Sequence, residues 1–150
     1  RWNNMVKVKV KKLSDKARLP EYGSLFSAGA DLYAVTDGKT EILPGQTKMI
    51  KTGISAEIPE GYAGLVYARS GLASKRGLAP ANKVGVIDSD YRGEIMVALH
   101  NHSTEKQEVD DGERIAQLVI TPFLRAEFEE AESLSETERG SGGFGSTGTK

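Results

Sequence analysis

Hydrophobic and polar residues alternate along several short stretches of the chain, as they do in strands that are buried on one face. Residues 6–10 alternate valine with lysine, and residues 54–58 place isoleucine or alanine at every second position. Clusters of proline, glycine and aspartate, which favour turns, separate these stretches. Many short strands joined by turns indicate an all-β sandwich, barrel or jelly roll. The other predicted strands lie at residues 62–68, 94–99 and 115–123.

One short helix is predicted near the middle of the chain. Ser70 is placed to cap this helix, residues 72–76 are placed to form it, and Gly77 is placed to end it. Four aromatic residues have no other evident role and are expected in the core: Tyr33, Tyr67, Phe123 and Phe128.

The C-terminal part of the chain differs in character from the rest. Residues 127–138 are acidic and lack a sustained apolar stripe, so we interpret them as a last strand followed by an extended linker. A glycine-rich segment comes after them. The sequence therefore predicts a β-barrel domain over residues 1–132 and a flexible arm over residues 133–150. Residues 1–4 precede the first methionine and are interpreted as extra N-terminal residues without a function.

Composition narrows the classes of function. The 150 residues include 20 Lys and Arg against 21 Asp and Glu, so we expect no nucleic-acid polymer as a partner. The absence of cysteine excludes disulfides and thiolate metal sites and is compatible with a reducing, cytoplasmic environment. The sequence contains no apolar run long enough to cross a bilayer and no secretory signal, so a membrane partner is not expected.

The glycine-rich segment at residues 139–148 combines an arginine, a phenylalanine and hydroxyl side chains. Glycine lets backbone N–H groups come close to a ligand, arginine suits phosphate, and the phenylalanine ring could cover a flat base. These properties fit a flap over a nucleoside triphosphate. A disordered Gly/Ser tail is the alternative interpretation.

Two further segments are candidates for a binding site. Arg69, Ser70 and Gly71 stand where a strand meets a helix, a place suited to an anion, although an ordinary capped helix would explain them too. In residues 82–94, Asp88 follows two apolar residues and is placed to act as a general base, although a plain turn is the alternative.

Asp31 and Gln117 are single polar residues within apolar strands. Asp31 could contact the water shell of a metal ion, or it could simply bond to backbone. A buried Gln117 amide must be hydrogen-bonded, either to backbone or to a ligand.

Five segments, taken in order, resemble the five motifs of the trimeric deoxyuridine triphosphate nucleotidohydrolases, the dUTPases. The segments read AGADLYA, RSGLA, NKVGVIDSDYRGE, GERIAQL and RGSGGFGSTG, and they run from residue 28 to residue 148. Any one of them alone would be weak evidence, whereas five in the family order are highly specific.

The resemblance implies an all-β distorted jelly-roll barrel with one short helix, in a homotrimer whose C-terminal arm is exchanged between subunits. It implies Mg²⁺-dependent hydrolysis of dUTP to dUMP and pyrophosphate, which keeps uracil out of DNA and supplies dUMP for thymidylate synthesis. One chain would give the phosphate and metal groups, a second a hairpin over residues 82–91 for the nucleoside, and a third the arm as a lid.

Individual roles follow from the same resemblance. Asp88 would be the catalytic base, and Asp31 would hold the metal through water. The implied substrate-binding residues are Arg69, Ser70, Gly71, Asn82, Gly85, Val86, Ile87, Tyr91, Gln117, Arg139, Phe144, Gly145, Ser146 and Thr147.

Three alternatives remain open at this point. A dCTP deaminase shares the fold but would call for a different arrangement of carboxylates from that in VIDSDYRGE. A nucleotide-sensing binding protein would act through inserted loops, and the sequence shows no insert of that kind. A purely structural barrel would leave the glycine-rich arm without a purpose.

Overall fold

The computed structural model describes residues 5–148, which form twelve strands and one helix. The strands pair antiparallel into one sheet of five strands, one of three and two of two. In chain order the elements are β1 (Lys9–Lys12), β2 (Glu21–Tyr22), β3 (Ala30–Tyr33), β4 (Thr40–Ile42), β5 (Thr47–Lys51), β6 (Ile54–Glu57), β7 (Tyr62–Tyr67), α1 (Ser70–Arg76), β8 (Leu78–Pro80), β9 (Gly85–Ile87), β10 (Met96–Asn101), β11 (Gln107–Val109) and β12 (Arg114–Pro122).

The sheet order brings distant parts of the chain together. The five-stranded sheet runs β2-β3-β12-β7-β9, and the other sheets are β5-β10-β8, β1-β6 and β11-β4. Within the large sheet, Gln117 of β12 lies opposite Asp31 of β3 on one side and Tyr67 of β7 on the other. Two of the predicted site residues are therefore neighbours across strands.

The inward faces of the strands form one apolar core. On β10 the core-facing residues Val97 and Leu99 are at most 1% exposed, whereas Met96, the first residue of the strand, is 41% exposed. Burial of these alternate side chains removes apolar surface from water and is the main force that holds the sheets together. The all-β architecture with one short helix, expected from the alternation, is confirmed.

Two predicted strands have shifted bounds. β1 begins at Lys9 instead of residue 6, because its partner β6 ends at Glu57 and Pro59 follows soon after. Proline has no N–H to donate to a ladder, so the valines further upstream find no strand to pair with. The strand predicted at 94–99 is β10, which runs two residues further along the chain.

The helix α1 ends as predicted, but it does not begin as predicted. Gly77 has a left-handed φ of 65°, and its N–H donates to the Ala73 carbonyl at 3.1 Å. Ser70 is the first helical residue and does not cap the helix. The capping position is Arg69, which is extended and makes no side-chain capping bond. The expectation of a serine cap was therefore wrong by one residue.

The segment after β12 has no regular structure in the part described, up to residue 148. The strand expected within residues 127–138 is not formed, and the segment pairs with none of the strands in the described chain. Phe128 is 95% exposed, and Phe123 and Tyr67 are also exposed, so of the four aromatic residues assigned to the core only Tyr33 is buried. The division between domain and arm at residue 132 stays a prediction.

Candidate active site

The first group of site residues lies where β3, β12 and the start of α1 meet. Asp31 of β3 accepts a hydrogen bond from Arg69 Nε at 2.9 Å. Arg114 Nη1 lies 3.6 Å from the other Asp31 oxygen. The Asp31 side chain is only 13% exposed, so both guanidinium groups compensate a carboxylate that is largely out of water. The Asp31 carboxylate therefore forms ion pairs with arginine side chains and not the backbone hydrogen bond that the sequence left open.

Gln117 is held against this group by its own hydrogen bond. Its amide Nε2 donates to the Ala68 carbonyl at 2.8 Å, which answers the question of how the part-buried amide is satisfied. A side chain at position 29 would place its Cβ 2.3 Å from Gln117 Oε1, so Gly29 is needed for this close approach. A contact of Gln117 with a ligand stays a prediction.

Basic residues surround an open pocket of about 450 Å³ beside this group. Arginine and lysine are its main charged residues, and Glu113 is its single acidic one among the described residues. Guanidinium and ammonium groups gathered in this way favour a phosphate-bearing ligand. We call the residues that line this pocket the basic cluster. They are Arg69, Gly71, Leu72, Lys75, Arg76, Glu113 and Arg114.

Tyr33 is buried two residues along β3 from Asp31. Burial raises the pKa of the Tyr33 phenol above its ordinary value of 10.0, although Arg18, which lies 4.0 Å over the ring, acts in the opposite sense. The phenol stays neutral and donates to Glu21 at 3.3 Å. The strand that carries Asp31 is therefore fixed at its far end by polar contacts as well as by packing.

The second group surrounds a pocket of about 250 Å³ that lies between two sheets. The sequence suggested a hairpin over residues 82–91, and this was wrong. β8 pairs with β10 whereas β9 pairs with β7, so the chain crosses from one sheet to the other. We call residues 81–91 the crossover segment. The pocket, which we call the crossover cleft, is lined by residues of this segment together with residues of β5, β7 and β10.

The crossover segment presents a few polar groups to this mostly apolar cleft. Lys83 adopts a left-handed φ of 65°, and Val84 N donates to the Asn82 carbonyl at 2.7 Å. This tight turn sets Asn82 beside Gly85 at the mouth of the pocket. A small, mainly apolar cavity with few polar groups is typical of a site for a flat organic ligand.

Asp88 and Tyr91 occupy the end of the crossover segment, and both line this pocket. Tyr91 N donates to the Asp88 carbonyl at 3.2 Å, and the Tyr91 hydroxyl donates to the Glu94 carbonyl at 2.8 Å. These bonds fix the turn that carries the Asp88 carboxylate. Asp90, two residues further along the chain, does not line the pocket.

The arm contributes to neither pocket within the described chain. Arg139 Nε donates to the Gly142 carbonyl at 2.7 Å, and Phe144 is fully exposed. Gly145, Ser146 and Thr147 are exposed as well. The two pockets have no lining residue in common. One chain therefore holds three separate parts of the predicted site and does not bring them together.

The residues present suit a metal that is held mostly by its substrate. Within residues 5–148 there is no group of three or more His, Asp or Glu side chains that could form a protein cage for a cation. Mg²⁺ usually keeps several waters and takes one or two carboxylates together with phosphate oxygens. Asp31, a single carboxylate paired with Arg69 and Arg114 of the basic cluster, fits that description. No helix among the described residues is long and apolar enough to span a membrane.

Sequence comparison identifies similar proteins over nearly the whole chain. A family model described as dUTPase matches residues 15–148. The deoxyuridine 5'-triphosphate nucleotidohydrolase of Desulfitobacterium hafniense is 54% identical over 148 residues, which cover 97% of this chain and 98% of the relative. The enzyme of the same name from Nautilia profundicola is 52% identical over 143 residues, covering 95% and 99% of the two chains.

Structure comparison gives the same family. The dUTPase of Staphylococcus bacteriophage 80alpha with dUPNHPP superposes with a TM-score of 0.88 at 32% identity, covering 97% of this chain and 100% of that one. A variant dUTPase from phage phi11 of S. aureus has a TM-score of 0.76 at 28% identity and covers 85% and 98% of the two chains. For that variant, the coordination of a structural Mg(II) ion is described.

Proposed function

Since the chain belongs to the dUTPase family, we propose that it hydrolyses dUTP to dUMP and pyrophosphate in pockets that three subunits build together. The activity itself is that of a dUTP diphosphatase, in agreement with the relatives named deoxyuridine 5'-triphosphate nucleotidohydrolase. The shared pocket rests on one observation. The crossover cleft, the basic cluster and the arm are separate in a single chain, although the predicted chemistry needs all three.

The crossover cleft is the site proposed for deoxyuridine. Backbone groups of Gly85 to Ile87, with the Asn82 amide, would pair with the edge of uracil, and cytosine would leave buried groups unpaired. A tight wall beside ring carbon five would reject the methyl group of thymine. Tyr91 beneath the sugar would leave no room for a ribose 2′-hydroxyl.

The basic cluster is the site proposed for the triphosphate. Arg69, Ser70, Gly71 and Gln117 would contact phosphate oxygens, assisted by backbone N–H groups at the start of α1. Arg114 lies in the same pocket and within reach of Asp31, so we add it to this set. The sequence contained a signal for Arg114, since it stands three residues before Gln117 in the same motif.

Asp31 would hold Mg²⁺ through water. When bound, the ion would neutralise charge on the triphosphate. Asp31 already has Arg69 on one oxygen, so a hydrated cation at Asp31 and a phosphate at Arg69 would together replace that ion pair. Opposite charges are thereby kept paired before and after the ligand arrives.

Asp88 is the residue proposed to activate water. Its carboxylate stands at the edge of the crossover cleft on a turn braced by backbone bonds. It would accept a proton from a water molecule that attacks the α-phosphorus in line, and pyrophosphate would leave on the opposite side. Correct placement and charge stabilisation would supply much of the rate enhancement.

The arm of a neighbouring subunit is proposed to close the pocket. In the segment between β12 and the glycine-rich motif, the apolar residues Leu124, Phe128 and Leu134 are at least 87% exposed in a single chain, which suits a segment that packs on another subunit. Phe144 would then stack on uracil, and Arg139, Gly145, Ser146 and Thr147 would contact the phosphates. This role requires a homotrimer, and it requires an arm, residues 133–150, that is separate from the domain of residues 1–132. We propose both.

The proposal also includes the location of the enzyme in the cell and the form of its substrate. We place it in the cytoplasm, where deoxynucleotides are made ready for DNA synthesis. The nearly balanced charges, 20 positive and 21 negative, offer no general attraction for a nucleic-acid polymer. Free dUTP is therefore the proposed substrate.

A substrate panel tests this function directly. The protein is incubated with dUTP, dCTP or UTP in the presence of Mg²⁺, and pyrophosphate and ammonia are measured. Pyrophosphate is expected from dUTP alone, and its formation is expected to stop when a chelator removes the metal. Ammonia from dCTP would identify a deaminase instead, and tight dUTP binding without any product would identify a sensor.

Replacement of Phe144 by tryptophan is expected to report closure of the arm. The chain has a single tryptophan, Trp2, so the W2F/F144W variant carries its only indole in the arm. Stacking on uracil should change the indole emission when a non-hydrolysable dUTP analogue is added. The W2F variant is the control and should show no change. If the emission of W2F/F144W does not change when the analogue is added, the stacking role is contradicted.

A further inference from the structure

Helix α1 carries the start of the basic cluster but is weakly anchored in the core. Leu72 is the only residue of the helix that is buried. A helix of seven residues with one buried side chain depends on contacts at its ends for its orientation, and one of them is the bond from His102 N to the Gly77 carbonyl at 2.7 Å, directly after the helix. The functional groups at its start need a second constraint if they are to meet phosphate oxygens with accuracy, since small displacements cost large factors in rate.

Arg76, in the last turn of α1, supplies that constraint. Its Nε donates to Gln107 Oε1 at 3.3 Å, its Nη1 donates to the Glu113 carboxylate, and its Nη2 donates to the Glu108 carbonyl. The Arg76 side chain is about one-third exposed and that of Glu113 about one-fifth, so the contact is partly shielded from water. A planar guanidinium that meets three acceptors fixes both the position and the direction of the helix end.

Glu113 is itself fixed from the other side. Its second carboxylate oxygen accepts a hydrogen bond from Asp110 N at 2.9 Å. Glu113 directly precedes β12, the strand that carries Arg114 and Gln117. The Arg76 contact therefore connects helix α1, which directly follows Arg69, to the strand that carries Arg114 and Gln117.

We propose that Arg76 is a positioning residue for triphosphate binding, which acts by holding α1 against β11, through Gln107 and Glu108, and against the turn before β12, through Glu113. Three of the five N–H donors of its guanidinium are engaged in these contacts, so we assign Arg76 to holding the helix and not to binding phosphate. The inference rests on the proposed assignment of Arg69, Ser70 and Gly71 to the triphosphate. It makes no demand on the crossover cleft, which belongs to other strands.

The test separates the two parts of the ligand. In the full-length R76M variant, KM for dUTP is expected to rise about tenfold, because misplaced phosphate contacts weaken binding of the triphosphate. The inhibition constant of deoxyuridine, which has no phosphate, should change by less than about twofold. R76K keeps the charge but cannot reach three acceptors at once, so it should give an intermediate KM.

Two further variants keep the test decisive. K39Q removes an exposed neighbouring pair with Glu108, at 3.3 Å, and should leave both constants unchanged. If R76M does not fold, E113Q weakens the same contact with little change in shape and should show the same selective rise in KM. Equal changes for dUTP and deoxyuridine, or a lowered Tm with unchanged KM, would overturn the inference. A wild-type protein without dUTP hydrolysis would instead overturn the function on which it rests.

Discussion

Replacement of Asp88 by asparagine is expected to lower kcat for dUTP by about 100-fold to 10,000-fold, the range for loss of a general base. The amide has nearly the shape of the carboxylate but cannot accept the proton of the attacking water. The backbone bond from Tyr91 N to the residue 88 carbonyl does not involve the side chain, so the turn should persist. Steady-state kinetics and the affinity for a non-hydrolysable dUTP analogue together check this result.

Asp90 provides a matched control for Asp88. It lies two residues further along the same segment, is also exposed, and does not line the crossover cleft. Asp90→Asn should therefore keep kcat within about threefold of the wild type. Equal losses in both variants would mean that the turn as a whole is needed, and normal turnover in Asp88→Asn would remove Asp88 from the role of base.

Removal of residues 139–150 is expected to lower kcat/KM by about 100-fold, because the lid and its phosphate contacts are lost. The proposed trimer should remain, since the sheets and the core lie before residue 123. Gel filtration checks the assembly, and kinetics check the loss. An unchanged rate would show that the arm is only a tail.

Mixing two inactive variants tests whether the site is shared. The truncated chain keeps a normal crossover segment, and Asp88→Asn keeps a normal arm. If these parts come from different subunits, trimers assembled from an equal mixture should regain about a quarter of the wild-type sites. Each variant refolded alone serves as the control. Mixed trimers that stay inactive would show that both parts come from one chain.

The strands could be predicted from the sequence because alternation is a local property. Residues 54–58 and 115–123 correspond closely to β6 and β12. The pairing of β8 with β10, and of β9 with β7, could not be predicted, because register between distant strands leaves no mark in local periodicity. Nor could the exposure of Phe128, since a side chain destined for a core and one destined for a partner look alike in a sequence.

The candidate site, too, could be predicted from the sequence only in part. Three of the five motifs contribute lining residues to the basic cluster or the crossover cleft, whereas Ser70 and Gln117 line neither, and the binding roles of all these residues stay predictions. The contact between Asp31 and Arg69 joins residues 38 positions apart, so only the fold discloses it. Arg76 was missed because a basic residue in the last turn of a helix is ordinarily explained by solvation and the helix dipole.

The isolation of the arm from its own barrel has a consequence for how the enzyme fails. If every pocket borrows one piece from each of three chains, a dimer contains no complete pocket at all. Dissociation of a single subunit would then abolish the activity of all three pockets of the trimer, and not of one pocket alone. Dilution or mild denaturant should accordingly extinguish catalysis in one step that coincides with dissociation, with no partly active stage between.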